Sequence, residues 1–226
     1  MQGNLAHSMF SRVLFPPATE QEGLRELNLR RSLRYSIPID LDITEHDLIV
    51  FDFETTGLDY ERDRIIEVGA IRVRQGSIIG EFSSLCSTDV IVTEQIEKLT
   101  GITKDMLVGQ PSFGDKLKEF LSFIEGGVLV AHNAEFDLSM LKAACNREGI
   151  DFEWPCICTL KLARDLLPDL ERKNLDTLAD HYGLSFEARH RSIGDAKVTI
   201  SVLNHMLANE GSSLKKWRDF QPFKVQ

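Results

Sequence analysis

The sequence predicts an α/β fold with a mixed sheet flanked by helices, and three observations carry that prediction. Three apolar runs, "DLIVFDFE", "RIIEVGAIRVR" and "SIIGEFSSLC", follow one another closely enough to form an antiparallel meander. A short apolar run, "VLVAH", comes next, and the segments after it carry helical periodicity. Strands in a meander followed by alternating strand and helix point to an α/β domain rather than a sandwich or a bundle. With 226 residues, 42% apolar and 27% charged, the chain is long enough for one such domain plus an extension.

The elements follow in chain order. Residues 1–46 read as an amino-terminal extension of unknown role. Pro16 and Pro17 break structure there, "EGLRELNLRRSLRY" suits a short helix with Leu24, Leu27 and either Arg31 or Leu33 on one face, and "SIPIDLDIT" looks extended. The second and third runs of the meander meet at "RQGS", a hairpin turn. "TEQIEKLTGITKDML" suggests a short helix and a loop. "PSFGDKLKEFLSFIEGG" is a helix opened by Pro111 and Ser112 and closed by Gly126 and Gly127. "NAEFDLSMLKAACNREG" is another, with Asn133 as candidate N-cap and Gly149 as its stop. "CTLKLARDLLP", "NLDTLADHYG" and "SIGDAKVTISVLNHMLANEG" supply three more. The domain is expected over residues 47–210, and residues 211–226 form a basic and aromatic tail.

Composition narrows the function. The net charge is −9, against the basic footprint of a broad nucleic-acid binder. The charge is uneven: residues 1–37 carry +2 and residues 212–226 carry +3, which leaves −14 in the middle. No apolar run approaches the roughly 18 residues of a membrane span. The amino terminus lacks the pattern of a secretory signal, so the cytoplasm is the expected compartment and no membrane partner is expected. Cys86, Cys145, Cys156 and Cys158 have no zinc-site spacing and read as reduced, packed thiols.

Three acid-bearing stretches then demand an explanation. Asp52 and Glu54 lie two apart in a strand and project from one face, shared with Leu48 and Val50. Such acids either end the strand in solvent or line a site. Asp137 shares its helical stripe with Met140, Leu141, Ala144 and Cys145, so its carboxylate points toward the core, past the turn where the helix dipole would favour it. Ser192 and Asp195 fit a capping pattern that starts a helix, with His190 just before it on a mobile approach. Each site stands at an element end, where α/β sheets keep their ligands. Clustered carboxylates need cations to neutralise them, and all-oxygen ligands select Mg²⁺ or Mn²⁺. Two such ions about 4 Å apart clamp the attacking and leaving oxygens of an in-line phosphoryl displacement.

"FDFETTGLD", "HNAEFD" and "HRSIGDA", in that order, resemble the three exonuclease motifs of the DEDDh 3'–5' exonucleases, a family that includes the proofreading epsilon subunit of bacterial DNA polymerase III. "EQIEKLTGIT", "CTLKLAR" and "NLDTLADHYG" between them are also family-like, and the resemblance covers about residues 47–208. It implies a ribonuclease-H-like fold and hydrolysis of terminal nucleotides from a DNA 3' end, single-stranded or frayed, releasing nucleoside 5'-monophosphates. It implies two Mg²⁺ or Mn²⁺ ions held by Asp52, Glu54, Asp137 and Asp195, with Asp52 bridging them. His190 matches the general base, and its unperturbed pKa near 6.5 suits that task. Thr55, Thr56, Gly57 and Leu58 supply the turn beside the terminal nucleotide, with Thr55 and nearby amides at the 3' hydroxyl and Leu58 as a wedge. Phe136 matches an aromatic contact to the terminal sugar or base, with core packing as its other reading. His132 reads as a supporting residue of the substrate site. RNA trimming and an accessory role docked on a polymerase subunit are the alternatives. The tail or the extension would then dock a partner or hold a single strand by stacking and charge.

Overall fold

The computed structural model describes residues 31–225. The breaks at Pro16 and Pro17 and the helix face bearing Leu24 and Leu27 lie outside the described residues. The carboxyl-terminal part of that expected helix is a strand instead. β1 (Arg31–Arg34) pairs in parallel with β6 (Ile150–Glu153), Arg31 opposite Ile150. "SIPIDLDIT" is irregular rather than extended, ending in a 3₁₀ turn at Ile43–Glu45.

The meander forms as expected from β2 (Leu48–Thr55), β3 (Ile65–Arg74) and β4 (Ser77–Leu85). β3 and β4 join through Gln75 and Gly76, both at positive φ, which matches the twist of the flanking strands. β5 (Val128–Ala131) lies parallel to β2, and β7 (Cys156–Cys158) lies parallel to β5. With β8 (Lys224–Val225) the main sheet has the order β4-β3-β2-β5-β7-β8. The sheet is therefore mixed, with the meander on one side of β2 and parallel strands on the other.

Helices cover both faces. On one lie α3 (Phe113–Ile124) and α4 (Ala134–Arg147), packed on Phe51, Phe53 and Leu129. On the other lie α5 (Thr159–Leu166), α6 (Leu175–His181) and α7 (Ser192–Ala208), packed on Val50, Ile71 and Val130. Strand alternation decides this sorting, because odd and even residues of β2 face opposite layers. Two short helices, α1 (Glu94–Thr100) and α2 (Lys104–Leu107), occupy "TEQIEKLTGITKDML" and bury Ile102 and Leu107 against Ile66. Ser112 caps α3 in a reciprocal pair with Asp115. Asn133 occupies the N-cap of α4 in the left-handed region and makes no side-chain cap bond.

The described residues of both flanks are folded into the expected domain. Ile37 and Ile43 are buried, and Tyr35 stacks on Trp154 at 4.8 Å while its hydroxyl meets His46 at 2.7 Å. In the tail, Trp217, Phe220 and Phe223 are buried rather than presented to a strand, and β8 extends the sheet beyond β7. Those rings are therefore unavailable to stack bases. The two flanks also hold each other: the Trp217 amide donates to Leu41 O and the Arg218 amide to Ile39 O. All four cysteines are free and buried. No helix among the described residues is long and apolar enough to cross a membrane.

Candidate active site

β2 delivers Asp52 and Glu54 toward the face covered by α7, on the same side as Val50. α7 delivers Asp195 from its first turn. One carboxylate oxygen from each of Asp52, Glu54 and Asp195 lies within 4.8 Å of the other two. Asp137 arrives from α4 on the opposite face, buried, and its Oδ1 accepts a hydrogen bond from the Phe53 amide at 3.2 Å. It therefore sits at the end of β2 beside Asp52 but outside that three-oxygen group.

The start of α7 is fixed against β3 by a buried acid. Glu67, 3% exposed, accepts from the Ser192 amide at 2.8 Å and from the Ser192 hydroxyl at 3.0 Å. Its other oxygen takes both Nε and Nη2 of Arg191, at 2.9 and 2.5 Å. The expected capping role of Ser192 is thus replaced: Ser192 is the first helical residue and Arg191 occupies the N-cap. Gly69, two residues on in β3, lets the helix come this close, since a Cβ there would fall 2.3 Å from the Ile193 amide nitrogen. His190 stands on the preceding turn, half-buried, with φ 58°.

The electrostatics follow from crowding acids away from water. Burial first, then the charges of Asp137, Glu54 and Asp195, hold Asp52 well above the usual carboxylate range. Burial, with Asp195 and Glu67, pushes Glu54 up to about 8. Burial raises Asp137 to about 7 against the pull of backbone amides. Burial raises Asp195 to about 6 although Arg189 opposes it. Asp195 Oδ1 is buried without a hydrogen-bond partner, while Oδ2 accepts from Arg189 Nη1 at 2.6 Å. Acids that repel one another and leave an oxygen unpartnered fit a hard cation, and the all-oxygen donor set fits Mg²⁺ or Mn²⁺.

The turn after β2 is internally braced. Thr55 and Thr56 are buried; the Thr55 hydroxyl donates to Gly57 O at 2.7 Å and the Thr56 hydroxyl to Asp63 at 2.8 Å. Their protons are committed to the turn, so toward a ligand they can only accept. Gly57 is needed for close approach, since a Cβ would lie 2.4 Å from Asp63 Oδ2. Arg147 ties the turn to α4 through the carbonyls of Tyr60, Glu61 and Asp63. Leu58 projects at 83% exposure. Phe136 is half-buried and packs on the core. His132 Nδ1 lies 3.0 Å from Thr159 Oγ1, and burial lowers its pKa to about 4, so it is neutral.

Glu67 and Arg189 were missed from the sequence. An acid inside the apolar run "RIIEVGAI" was the available signal for Glu67, the same signal that exposed Asp52. Nothing local distinguishes Arg189 from Arg191, the other arginine of "ARHRS".

A ribonuclease-H-like sheet with carboxylates gathered from β2, α4 and α7 defines a nuclease. The family comparison makes the class specific: residues 49–203 match the exonuclease family, and the chain belongs to it. Those residues form an exonuclease domain. The chain is 40% identical over 159 residues to the PolC-type DNA polymerase III of Clostridium perfringens, covering 70% of this chain but 11% of that protein. It is 36% identical over 167 residues to the DNA polymerase III epsilon subunit of Aquifex aeolicus, covering 74% of this chain and 83% of that one. Among solved structures, Exonuclease X in complex with 5' overhanging duplex DNA superposes with a TM-score of 0.59 at 27% identity, over 73% of this chain and 93% of that one.

Proposed function

We propose that this chain removes nucleotides one at a time from the 3' end of single-stranded or frayed DNA, releasing nucleoside 5'-monophosphates, in proofreading or repair. The observation that carries the reading is the meeting of Asp52, Glu54 and Asp195 within 4.8 Å, with Asp195 Oδ1 buried and unpartnered. Asp52, Glu54, Asp195 and the adjacent Asp137 would hold two Mg²⁺ or Mn²⁺ ions. When bound, such ions lower the pKa of water and neutralise charge gathering on the phosphate. His190 accepts the proton of the attacking water. Burial and the neighbouring Arg189 lower its pKa, which keeps the ring unprotonated and able to accept at neutral pH. Leu58 wedges at the terminal base, held out by the braced turn of Thr55, Thr56 and Gly57. Phe136 and His132 shape the floor beside it.

DNA is favoured over RNA because the similar structure holds a DNA duplex and the similar proteins are DNA polymerase components. A DNA polymerase subunit in the cytoplasm is the corresponding partner. The test uses DNA and RNA of one sequence, labelled at either end, with Mn²⁺ or with EDTA. A 5'-labelled DNA should shorten in single steps, and a 3'-labelled one should yield labelled mononucleotide at once, only with the ion present. His190→Ala should slow this by ~10²–10⁴-fold. Release of mononucleotide from the 5' end, or faster loss of RNA, would replace the reading.

A further inference from the structure

Arg189 sits where a cation beside a metal site should be unwelcome, yet it is fully engaged. Its Nη1 donates to Asp195 Oδ2 at 2.6 Å. Its Nε and Nη2 take the two oxygens of Asp176, at 2.6 and 3.1 Å. The guanidinium also lies 4.9 Å over the ring of Phe186. Asp176 belongs to the first turn of α6 and Asp195 to the first turn of α7, so one side chain joins the two helix starts across the segment that carries His190. A planar fork can hold one carboxylate through two bonds and a second through a third; a lysine ammonium on a flexible stem cannot reproduce that geometry.

We propose that Arg189 is a positioning residue of the ion site: by holding Asp195 Oδ2 it fixes the carboxylate with Oδ1 free of protein partners, and by holding Asp176 it fixes the His190 segment beside it. This rests on the reading of Asp52, Glu54 and Asp195 as ion ligands. The division of the carboxylate supports it directly, one oxygen clamped and the other buried without a partner. Without the clamp Asp195 is free to rotate, and its oxygens lose the fixed approach an ion needs. Groups that orient a ligand in this way typically change metal affinity 10–100-fold when removed.

Two physical effects oppose each other here, and one substitution separates them. A fixed positive charge near the site repels a divalent ion; a clamp on its ligand favours binding. Arg189→Lys keeps the charge and removes the fork, whereas Arg189→Met removes both. Mn²⁺ binding to the metal-stripped full chain, read by calorimetry and by the electron paramagnetic resonance of free Mn²⁺, requires no turnover. Arg189→Lys should weaken Mn²⁺ binding roughly tenfold or more. Asp176→Glu, which keeps every charge but displaces the carboxylate that holds the fork, should weaken it in the same direction and serves if the arginine variants fail to fold. In turnover the Mn²⁺ requirement should rise while KM for the oligonucleotide stays constant.

Wild-type affinity in both Arg189→Lys and Asp176→Glu would overturn the proposal, as would tighter binding in Arg189→Met with Arg189→Lys unchanged, which would show repulsion alone. A raised KM with unaltered Mn²⁺ binding would make Arg189 a phosphate contact and overturn it too. Failure of the wild-type chain itself to bind Mn²⁺ would remove the ion-site reading, a result distinct from these.

Discussion

The carboxylate of Asp137 and the backbone amide of Phe53 are joined at 3.2 Å, and Phe53 lies between the two acids of β2. A helix on one face of the sheet is thus latched to the strand whose acids face the other. Asp137→Asn keeps an oxygen able to accept from that amide, whereas Asp137→Ala leaves the amide buried and unpaired. Both should lose nearly all exonuclease turnover. The alanine variant should also be less stable by about 1–3 kcal/mol, with the asparagine variant close to wild type. Paired melting and activity measurements on the two variants separate latch from ligand.

The acid cluster also sets a pH dependence for the metal-free protein. Asp195, Asp137 and Glu54 have pKa values raised to about 6, 7 and 8. A raised carboxylate binds more protons folded than unfolded, so its contribution to stability is present at low pH and is lost as pH rises through the folded value. The melting temperature without divalent ions should therefore fall between about pH 5 and pH 8. Mg²⁺ replaces the protons and should reduce that fall. Asp47 has the opposite sign. Burial pushes its pKa up, but hydrogen bonds from Arg74 and Arg72 outweigh this and hold it low, so its contribution is lost on acidification below about pH 4. Thermal scans across pH, with EDTA and with Mg²⁺, test both arms.

Glu67 anchors the start of α7 to β3, so its loss should reach the site without touching it. Glu67→Ala leaves Arg191 and the Ser192 amide without their acceptor. Breaking a buried ion pair costs several kcal/mol, and the partial solvation of Arg191 reduces this to about 2 kcal/mol. For a chain of this length that is a drop of roughly 4–8 °C in Tm. Glu67→Gln, which keeps the shape, should fall by less in the same scan.

The carboxyl-terminal segment makes a further prediction. Trp217 is 4% exposed and Phe220 1%, so these rings belong to the core. Trp217→Ala should destabilise by about 3–5 kcal/mol, and removal of residues 212–226 should yield protein that fails to fold cooperatively. A truncated chain that melts like the full one would show the segment to be dispensable.

Much of the layer order was legible because periodicity reports burial directly. β2 alternates between two helical layers, and its acids appear at the point where that alternation meets the sheet end. Asp137 was legible for the same reason, as the one acid on an apolar helical stripe. What stayed hidden depended on tertiary partners. Nothing in "RRSLR" announces a strand, because its pairing partner Ile150–Glu153 is more than a hundred residues away. Trp217 and Phe220 read as exposed stacking groups since their basic neighbours Lys215, Lys216 and Arg218 remain on the surface. Ser192 carried a capping signature, yet a distant glutamate took its amide and hydroxyl.

The closure of the two flanks has a consequence for biogenesis. β1 and β8 are added to neighbouring strands, β6 and β7, and the backbone of residues 39–43 bonds that of residues 215–218. The earliest described strand therefore waits for β6, and the main sheet gains its last strand only when Val225 has emerged from the ribosome. Such long sequence separations between partners slow folding through the loop that must first close. Until β8 is in place the edge of β7 is unpaired, and the apolar surface that Trp217 and Phe220 cover in the folded chain is open.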